Sequence, residues 1–270
     1  MSVDQAKTAP TWVSGLKALE ADSVTEATIF VLPLGATEQH GKHLPRETDW
    51  LIARGVCERL IATLDKKTDV RFLPVEQVGY SLEHMDHEGS QSLSYDDAVS
   101  RWVGIGEALT NNGVRRLILL NAHGGNSPIM SIVAQELRVR CSMLAVTTSW
   151  TRFVKNSGIV SQAEEDFGIH GGDIETSVML ALHPDLVNLE EARDYPNLQE
   201  ILAVDFQHLR AYGPHAFGWK AADLNRLGVT GNAGLASAEK GEALIELAVR
   251  GLADLIDDVQ KFDLSLLHDA

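Results

Sequence analysis

Three glycine-rich turns, each carrying a histidine and each leading into a helix, constrain this chain more than any other feature. The first follows Ile29 to Leu34 (Ile-Phe-Val-Leu-Pro-Leu), a short apolar run bounded by Gly35. That length and composition predict a buried parallel strand ending at a loop. The second follows Arg115-Arg-Leu-Ile-Leu-Leu-Asn121, and the third, Ile169-His-Gly-Gly-Asp173, opens a helix. Periodicity along the chain predicts strands at 29–34, 70–75, 115–121 and 143–148, and helices at 50–64, 95–111, 127–139, 172–183 and 236–261. Between them lie a polar stretch at 77–93, a loop to 170 and a less regular region at 184–234. Ser94 with Asp97 resembles a capping box, and Asn112-Gly113 is a helix stop. In the last helix Leu244, Leu247, Ala248, Gly251, Leu252, Leu255, Ile256 and Val259 form an apolar stripe suited to core packing or a subunit contact. The β-α alternation predicts a parallel or mostly parallel sheet covered by helices on both faces.

With 270 residues and 44% hydrophobic content the chain can bury a full core, and no Pro/Ser-rich linker divides it, so one domain over 1–270 is expected. A formal net charge of −15 argues against nucleic acid or an anionic membrane as partner and favours a small-molecule substrate. The start, Met-Ser-Val-Asp-Gln-Ala-Lys7, lacks a basic patch followed by an apolar stretch, and no segment approaches the ~18 apolar residues of a membrane span. A cytoplasmic location is expected. Cys57 and Cys141 lack CxxC spacing, which suggests neither a disulfide framework nor a thiolate zinc site.

The chemistry concentrates in the turns. Leu34-Gly-Ala-Thr-Glu-Gln-His-Gly-Lys-His-Leu-Pro-Arg-Glu-Thr-Asp49 holds three potential metal ligands, Glu38, His40 and Asp49. Glu38 and His40 stand two apart, so on extended backbone both project to one side and either share an ion or flank two. Asp49 sits where a helix begins, and its alternative role is an N-cap. His123, in Asn121-Ala-His-Gly-Gly-Asn126, falls on the same rim, because sites in open α/β sheets form at the carboxyl ends of strands. A phosphate-cradling reading of this turn is weaker, because the Gly-x-x-x-x-Gly-Lys-Ser/Thr pattern is missing. In the third turn Asp173 and Glu175 meet a helix N-terminus, where their structural role would be to complement the helix dipole. Three such turns together point to a metal-dependent hydrolase.

The pieces Leu34-Gly-Ala-Thr-Glu-Gln-His-Gly41 with Thr48-Asp49, Asn121-Ala-His-Gly-Gly-Asn126, His170-Gly-Gly-Asp-Ile-Glu-Thr-Ser177 and Gly228-Val-Thr-Gly-Asn-Ala-Gly-Leu-Ala-Ser-Ala-Glu-Lys-Gly241 resemble the creatininase family in order and span most of the chain. The resemblance implies a three-layer αβα sandwich subunit, often a homo-oligomer and specifically a hexamer. It also implies a two-metal site cleaving C–N bonds in cyclic amides, formamides or peptides. Carried over, Glu38, Asp49 and His123 look like ligands of one ion and His40 with Asp49 like ligands of the other, Asp49 bridging. His170 matches the proposed acid/base histidine. Creatininase has an aromatic residue and a metal-binding carboxylate where this chain has Gly124 and Gly125. Glu175 is therefore expected as the fifth ligand and creatinine as a poor substrate. Asn232-Ala233 replaces the more usual Asp-Pro, with no chemistry attached to the change. Carboxylates and imidazoles without thiolate suit two divalent ions, Zn, Mn or Fe(II). Ring-opening cleavage of a C–C bond or lactone on a cyclic polyol ketone, or cleavage of a peptide, would use the same ions. A non-catalytic metal or nucleotide-binding protein is a more distant alternative.

His84-Met-Asp-His87-Glu88 has ligand-like density but more often forms a polar pocket wall, and Tyr80, Ser90 and Ser92 share that stretch. Tyr80, His84, His87, Ser90 and Gly124 are expected to contact substrate. His43 is expected to orient a ligand, with an exposed loop histidine as the alternative. Asp166-Phe-Gly168 and Gly104-Ile-Gly106 are chance matches to larger motifs, and no Gly-x-Ser-x-Gly elbow supports a serine hydrolase.

Overall fold

A computed structural model describes residues 9–16 and 24–268; the N-terminal heptapeptide lies outside them. Its elements are β1 (Thr11–Trp12), β2 (Ile29–Leu34), α1 (Thr48–Thr63), β3 (Val70–Phe72), α2 (Tyr95–Asn111), β4 (Arg116–Asn121), α3 (Ser127–Cys141) and β5 (Leu144–Ser149). There follow α4 (Gln162–Phe167), α5 (Asp173–Leu182), β6 (Asp194–Tyr195), α6 (Leu198–Asp205), α7 (Ala221–Leu224), β7 (Gly231–Asn232) and α8 (Ala238–Lys261). The main sheet is parallel throughout, in the order β1-β3-β2-β4-β5, and β6 pairs antiparallel with β7 apart from it.

Alternate residues of the central strands feed two apolar layers, as the period-2 geometry of a strand requires. Ile29, Val31, Ile118 and Leu120 pack with α1, α5 and α8, while Phe30, Leu32, Leu34, Leu117 and Leu119 pack with α2 and α3. The result is the three-layer αβα sandwich, with β2 and β4 buried along their whole length. The stripe on α8 is core: Leu244, Ala248, Leu252, Ile256 and Val259 are buried against this sheet face.

The strand order places the site. From β2 the chain crosses to β3 on one side, and from β3 it returns across β2 to β4 on the other. The carboxyl ends of β2 and β4 therefore form a topological switch point, where the crevice of an open α/β sheet opens. Leu34 pairs with Asn121 in register, so the two turns with most of the donor residues leave the sheet side by side.

Three regions differ from the sequence expectation. β3 stops at Phe72 rather than at 75 because Pro74 has no N–H for the ladder; beyond it only a single bridge, Leu34 to Glu76, continues the pairing. The loop before 170 contains α4, capped by Ser161 Oγ, which accepts from the Glu164 N–H. The less regular region contains α6, whose Asn197/Glu200 capping box is complete, and α7. All three helices are too short for their periodicity to show.

Candidate metal centre

Asp49 lies in the first turn of α1, but the N-cap position is Glu47, which makes no side-chain cap. The Asp49 carboxylate is thus free for other work, and it is buried at the bottom of the crevice. Its Oδ1 is 3.1 Å from His40 Nε2 and its Oδ2 3.2 Å from His123 Nδ1. His123 Nδ1 is also 3.1 Å from Glu38 Oε1, and Glu175 Oε2 is 3.8 Å from His40 Nε2. These atoms are close without hydrogen-bond alignment: Glu38 Oε1, His40 Nε2 and Asp49 Oδ2 are buried and have no hydrogen-bond partner. Leaving buried polar atoms unpaired costs about 1–3 kcal/mol each. Converging lone pairs at that cost fit a cation between them. Glu38, His40 and His170, and likewise His40, Asp49 and Glu175, offer ligand atoms within 4.8 Å of one another.

One device orients the imidazoles. His40 Nδ1 lies 3.0 Å from the Glu38 carbonyl, His123 Nε2 3.0 Å from the Tyr80 carbonyl, and His170 Nε2 2.7 Å from the Gln39 carbonyl. A carbonyl only accepts, so in each ring that nitrogen carries the hydrogen and the other presents its lone pair inward. Glu38 is held on its other oxygen by the Ser81 hydroxyl, which donates to Oε2. The loop carrying Glu38 and His40 is pinned in turn, because Ser90 Oγ accepts from Gln39 N and Gln39 Nε2 donates to the Gly228 carbonyl.

The electrostatics match a cation site. Burial pulls the His40 imidazole down, but Asp49, Glu175 and Glu38 outweigh it and raise its pKa to about 9. His123 is likewise raised well above its ordinary value, with Glu38 and Asp49 overcoming burial. Asp49 is held below the usual carboxylate range by His40 and His123 against the effect of burial. Burial pushes Glu175 up to about 7. Without a cation the inward lone pairs of His40 and His123 would take up protons to balance the carboxylates, and a divalent cation competes with those protons, so affinity rises with pH. Burial lowers His170 well below its ordinary value, aided by His40 and His84, and lowers His84 to about 4. The rings of His40 and His84 stand 4.1 and 4.2 Å from that of His170.

Of the remaining expected residues, Tyr80, His84 and Gly124 line a cavity of about 470 Å³ beside this cluster. The structure places two others elsewhere. The Ser90 hydroxyl is engaged with the Gln39 backbone, and His87 lines a separate cavity with Gln39, Lys42 and Val229, because the Gly228 turn lies between it and the cluster. Ser92 Oγ accepts from Ser81 N and donates to the Leu93 carbonyl. His43 is buried rather than exposed; its Nε2 donates to the Gly171 carbonyl at 2.7 Å and its ring stacks on Tyr195, which holds the turn between His170 and Glu175. Glu175 accepts from Gly171 N at 2.6 Å, and Asp173 pairs with Lys240 Nζ at 2.5 Å and with Ser177 Oγ. Sequence reasoning missed Glu83, whose Oε1 stands 3.5 Å behind His123 Nε2. A Cβ at Gly125 would lie 2.5 Å from that same Oε1, from His123 Nε2 and from the Tyr80 carbonyl, so the position is closed to any side chain. Only the proximity of Ser81 and Glu83 to Tyr80 and His84 in sequence hinted at either.

A family model described as "Creatininase: Creatinine amidohydrolase" matches residues 16–256. The creatinine amidohydrolase of Pseudomonas putida is 31% identical over 258 residues, covering 89% of this chain and 93% of its own. The mycofactocin precursor peptide peptidase of Mycolicibacterium smegmatis is 26% identical over 240 residues, 84% of each chain. A solved mutant creatininase of Zn-Zn type superposes with a TM-score of 0.72 at 30% identity, covering 92% of this chain and 97% of that one.

Proposed function

The chain belongs to the creatininase family of metal-dependent hydrolases acting on C–N amide bonds, and from that premise we propose that it binds two divalent ions and hydrolyses a small cyclic amide or a formamide. The observation that carries the reading is the set of inward-facing lone pairs on His40, His123 and His170 beside the unpaired oxygens of Glu38 and Asp49. In the proposed assignment Glu38, Asp49 and His123 would hold one ion, and His40, Asp49 and Glu175 would hold the other. The donor set, oxygen and imidazole without thiolate, suits Zn, Mn or Fe(II). When bound, such ions polarise a substrate carbonyl and bring the pKa of water toward neutrality.

The residues then divide the remaining work. His170 presents an unprotonated Nδ1 to the site, 3.5 Å from Glu38 Oε1, while its Nε2–H is held by the Gln39 carbonyl. It is therefore first a proton acceptor. The proton it gains as water adds to the amide carbon is the one it delivers to the departing nitrogen, which cannot leave as an anion. Burial and the neighbouring imidazoles hold it neutral at the outset. The Ser81 hydroxyl fixes Glu38, and Tyr80, His84 and Gly124 face the substrate space.

Two expectations follow. Glu175→Gln keeps the Gly171 N–H bond through its amide oxygen but loses its charge, so the ion shared with His40 is lost and the other retained. Elemental analysis of the purified variant checks this; unchanged metal content would leave Glu175 as a helix-terminal acceptor only. For substrate, the metal-loaded enzyme turns over small amides or formamides and is silenced by chelator. Creatinine remains a poor substrate, with kcat/KM below about 10⁴ M⁻¹s⁻¹, because the Gly124-Gly125 turn offers it neither ring nor carboxylate. Steady-state assay of creatinine against a formamide panel decides between them.

The same reading takes residues 1–270 as one domain, cytoplasmic and homo-oligomeric. In its support, no helix among the described residues is long and apolar enough to cross a membrane. On α6, Ile201 and Val204 are 58% and 85% exposed, as a surface awaiting a subunit contact would be.

A further inference from the structure

The cavity beside the cluster has two unlike sides. One side is the reactive rim, His84, His123 and His170. The other is an apolar wall of Tyr212, Trp219 and Leu224, from the segment between α6 and β7. Local bonds fix that wall. Tyr212 Oη donates to the Asp166 carbonyl at 2.8 Å and accepts from Asn197 Nδ2 at 3.1 Å, so the phenol presents its ring rather than its hydroxyl. Lys220 Nζ, next to Trp219, is held outside by Asp86 at 2.8 Å. Among the described residues lining the cavity none is Lys or Arg. The wall itself offers no Lys or Arg, so a phosphate carried on the substituent and seated there would be desolvated without an adjacent counter-charge.

The mouth is kept open by Gly124. A Cβ at this position would meet nothing within 4 Å, and its backbone is not in the left-handed region, so neither packing nor conformation requires glycine there. A side chain at Gly124 would project where this cavity meets the neighbouring one of about 350 Å³, which Gly124 also lines.

Resting on the amide-hydrolase reading above, we propose that the scissile amide carries a bulky, uncharged apolar substituent, an aromatic ring by preference. It seats on Tyr212 and Trp219, and phosphate-bearing amides are rejected. Hydrolysis of a formamide of this class adds water across the C–N bond, releasing formate and the free amine.

The test uses the metal-loaded enzyme with N-methylformamide, N-phenethylformamide and N-(2-phosphoethyl)formamide, which share one scissile bond. Since a single methylene in an apolar pocket is worth roughly 10- to 200-fold, the phenethyl compound is expected to exceed the methyl compound in kcat/KM by at least ~10-fold. The phosphoethyl compound should fall below both. Trp219→Ala, which removes wall, and Gly124→Phe, which fills the mouth, should each reduce the phenethyl-to-methyl ratio about tenfold while the bound metal is retained. A ratio near one, or a preference for the phosphoethyl compound, overturns the inference and leaves the hydrolase reading standing. If no formamide is turned over, the formamide half of the substrate reading has failed, and calorimetry of N-phenethylformamide binding decides the cavity. Binding weakened about tenfold in Trp219→Ala supports it, and no binding to the parent enzyme overturns it.

Discussion

Asp49→Asn is expected to release both ions and to lower turnover by more than about 10²-fold, since altering even an outer partner of a metal ligand costs 10- to 100-fold in affinity. The reason is geometric. Asp49 Oδ1 faces His40 and Oδ2 faces His123, so one carboxylate serves both halves of the cluster. An amide keeps one acceptor oxygen and turns an N–H₂ group toward the other half. The fold should survive, because Asp49 does not cap α1; that position belongs to Glu47. Elemental analysis beside a thermal melt separates the two effects. Full metal content in a folded variant would show that Asp49 is not the bridge, and loss of the fold would show it to be structural.

His170→Ala is the second large effect. Both ions and the thermal midpoint should be retained, while kcat falls by about 10² to 10⁴, the usual contribution of general acid–base catalysis. The loss should be smallest for substrates whose leaving group departs without a proton, so an activated ester or anilide narrows the gap to the parent enzyme. Metal loss in this variant would make His170 a ligand, which its distance to Glu38 and His40 allows geometrically. Retention of both metal and rate would move the proton transfer to His84, whose ring lies 4.2 Å from that of His170 and whose Nε2 is 3.4 Å from Glu38 Oε1.

The layered fold and the rim of the site were readable because both are local properties of the chain. Strand β2 matches its predicted bounds, and the turns after β2 and β4 announce their donors within a few residues of the strand ends. What stayed hidden is tertiary. Glu83 occupies the space beside Gly125 from a short 3₁₀ turn in the polar stretch, and nothing at Gly125 indicates what will fill it. Ser90 and His87 are near Tyr80 in sequence, yet the Gly228 turn comes between His87 and the cavity. Tyr212 and Trp219 sit in a segment without useful periodicity, and only its packing with Leu202 and Leu224 shapes a wall. The donors' roles as helix caps were decided by backbone position: Asp49 falls two residues past the cap, whereas Asp173 is consumed by Lys240.

The acceptors that aim the three imidazoles are main-chain carbonyls of Glu38, Gln39 and Tyr80. Every residue type has that oxygen, so no point substitution deletes it. The orientation of the rings is thus inherited with the path of two loops and not with the identity of their neighbours, which makes it tolerant of mutational drift around it. The aromatic wall stands on different ground, in side chains of a peripheral segment that contributes no donor to the cluster. A chain divided in this way can exchange one substrate for another through changes at 212, 219 and 224 while its bond-breaking apparatus passes unaltered from ancestor to descendant, and a designer can recast the wall by the same route.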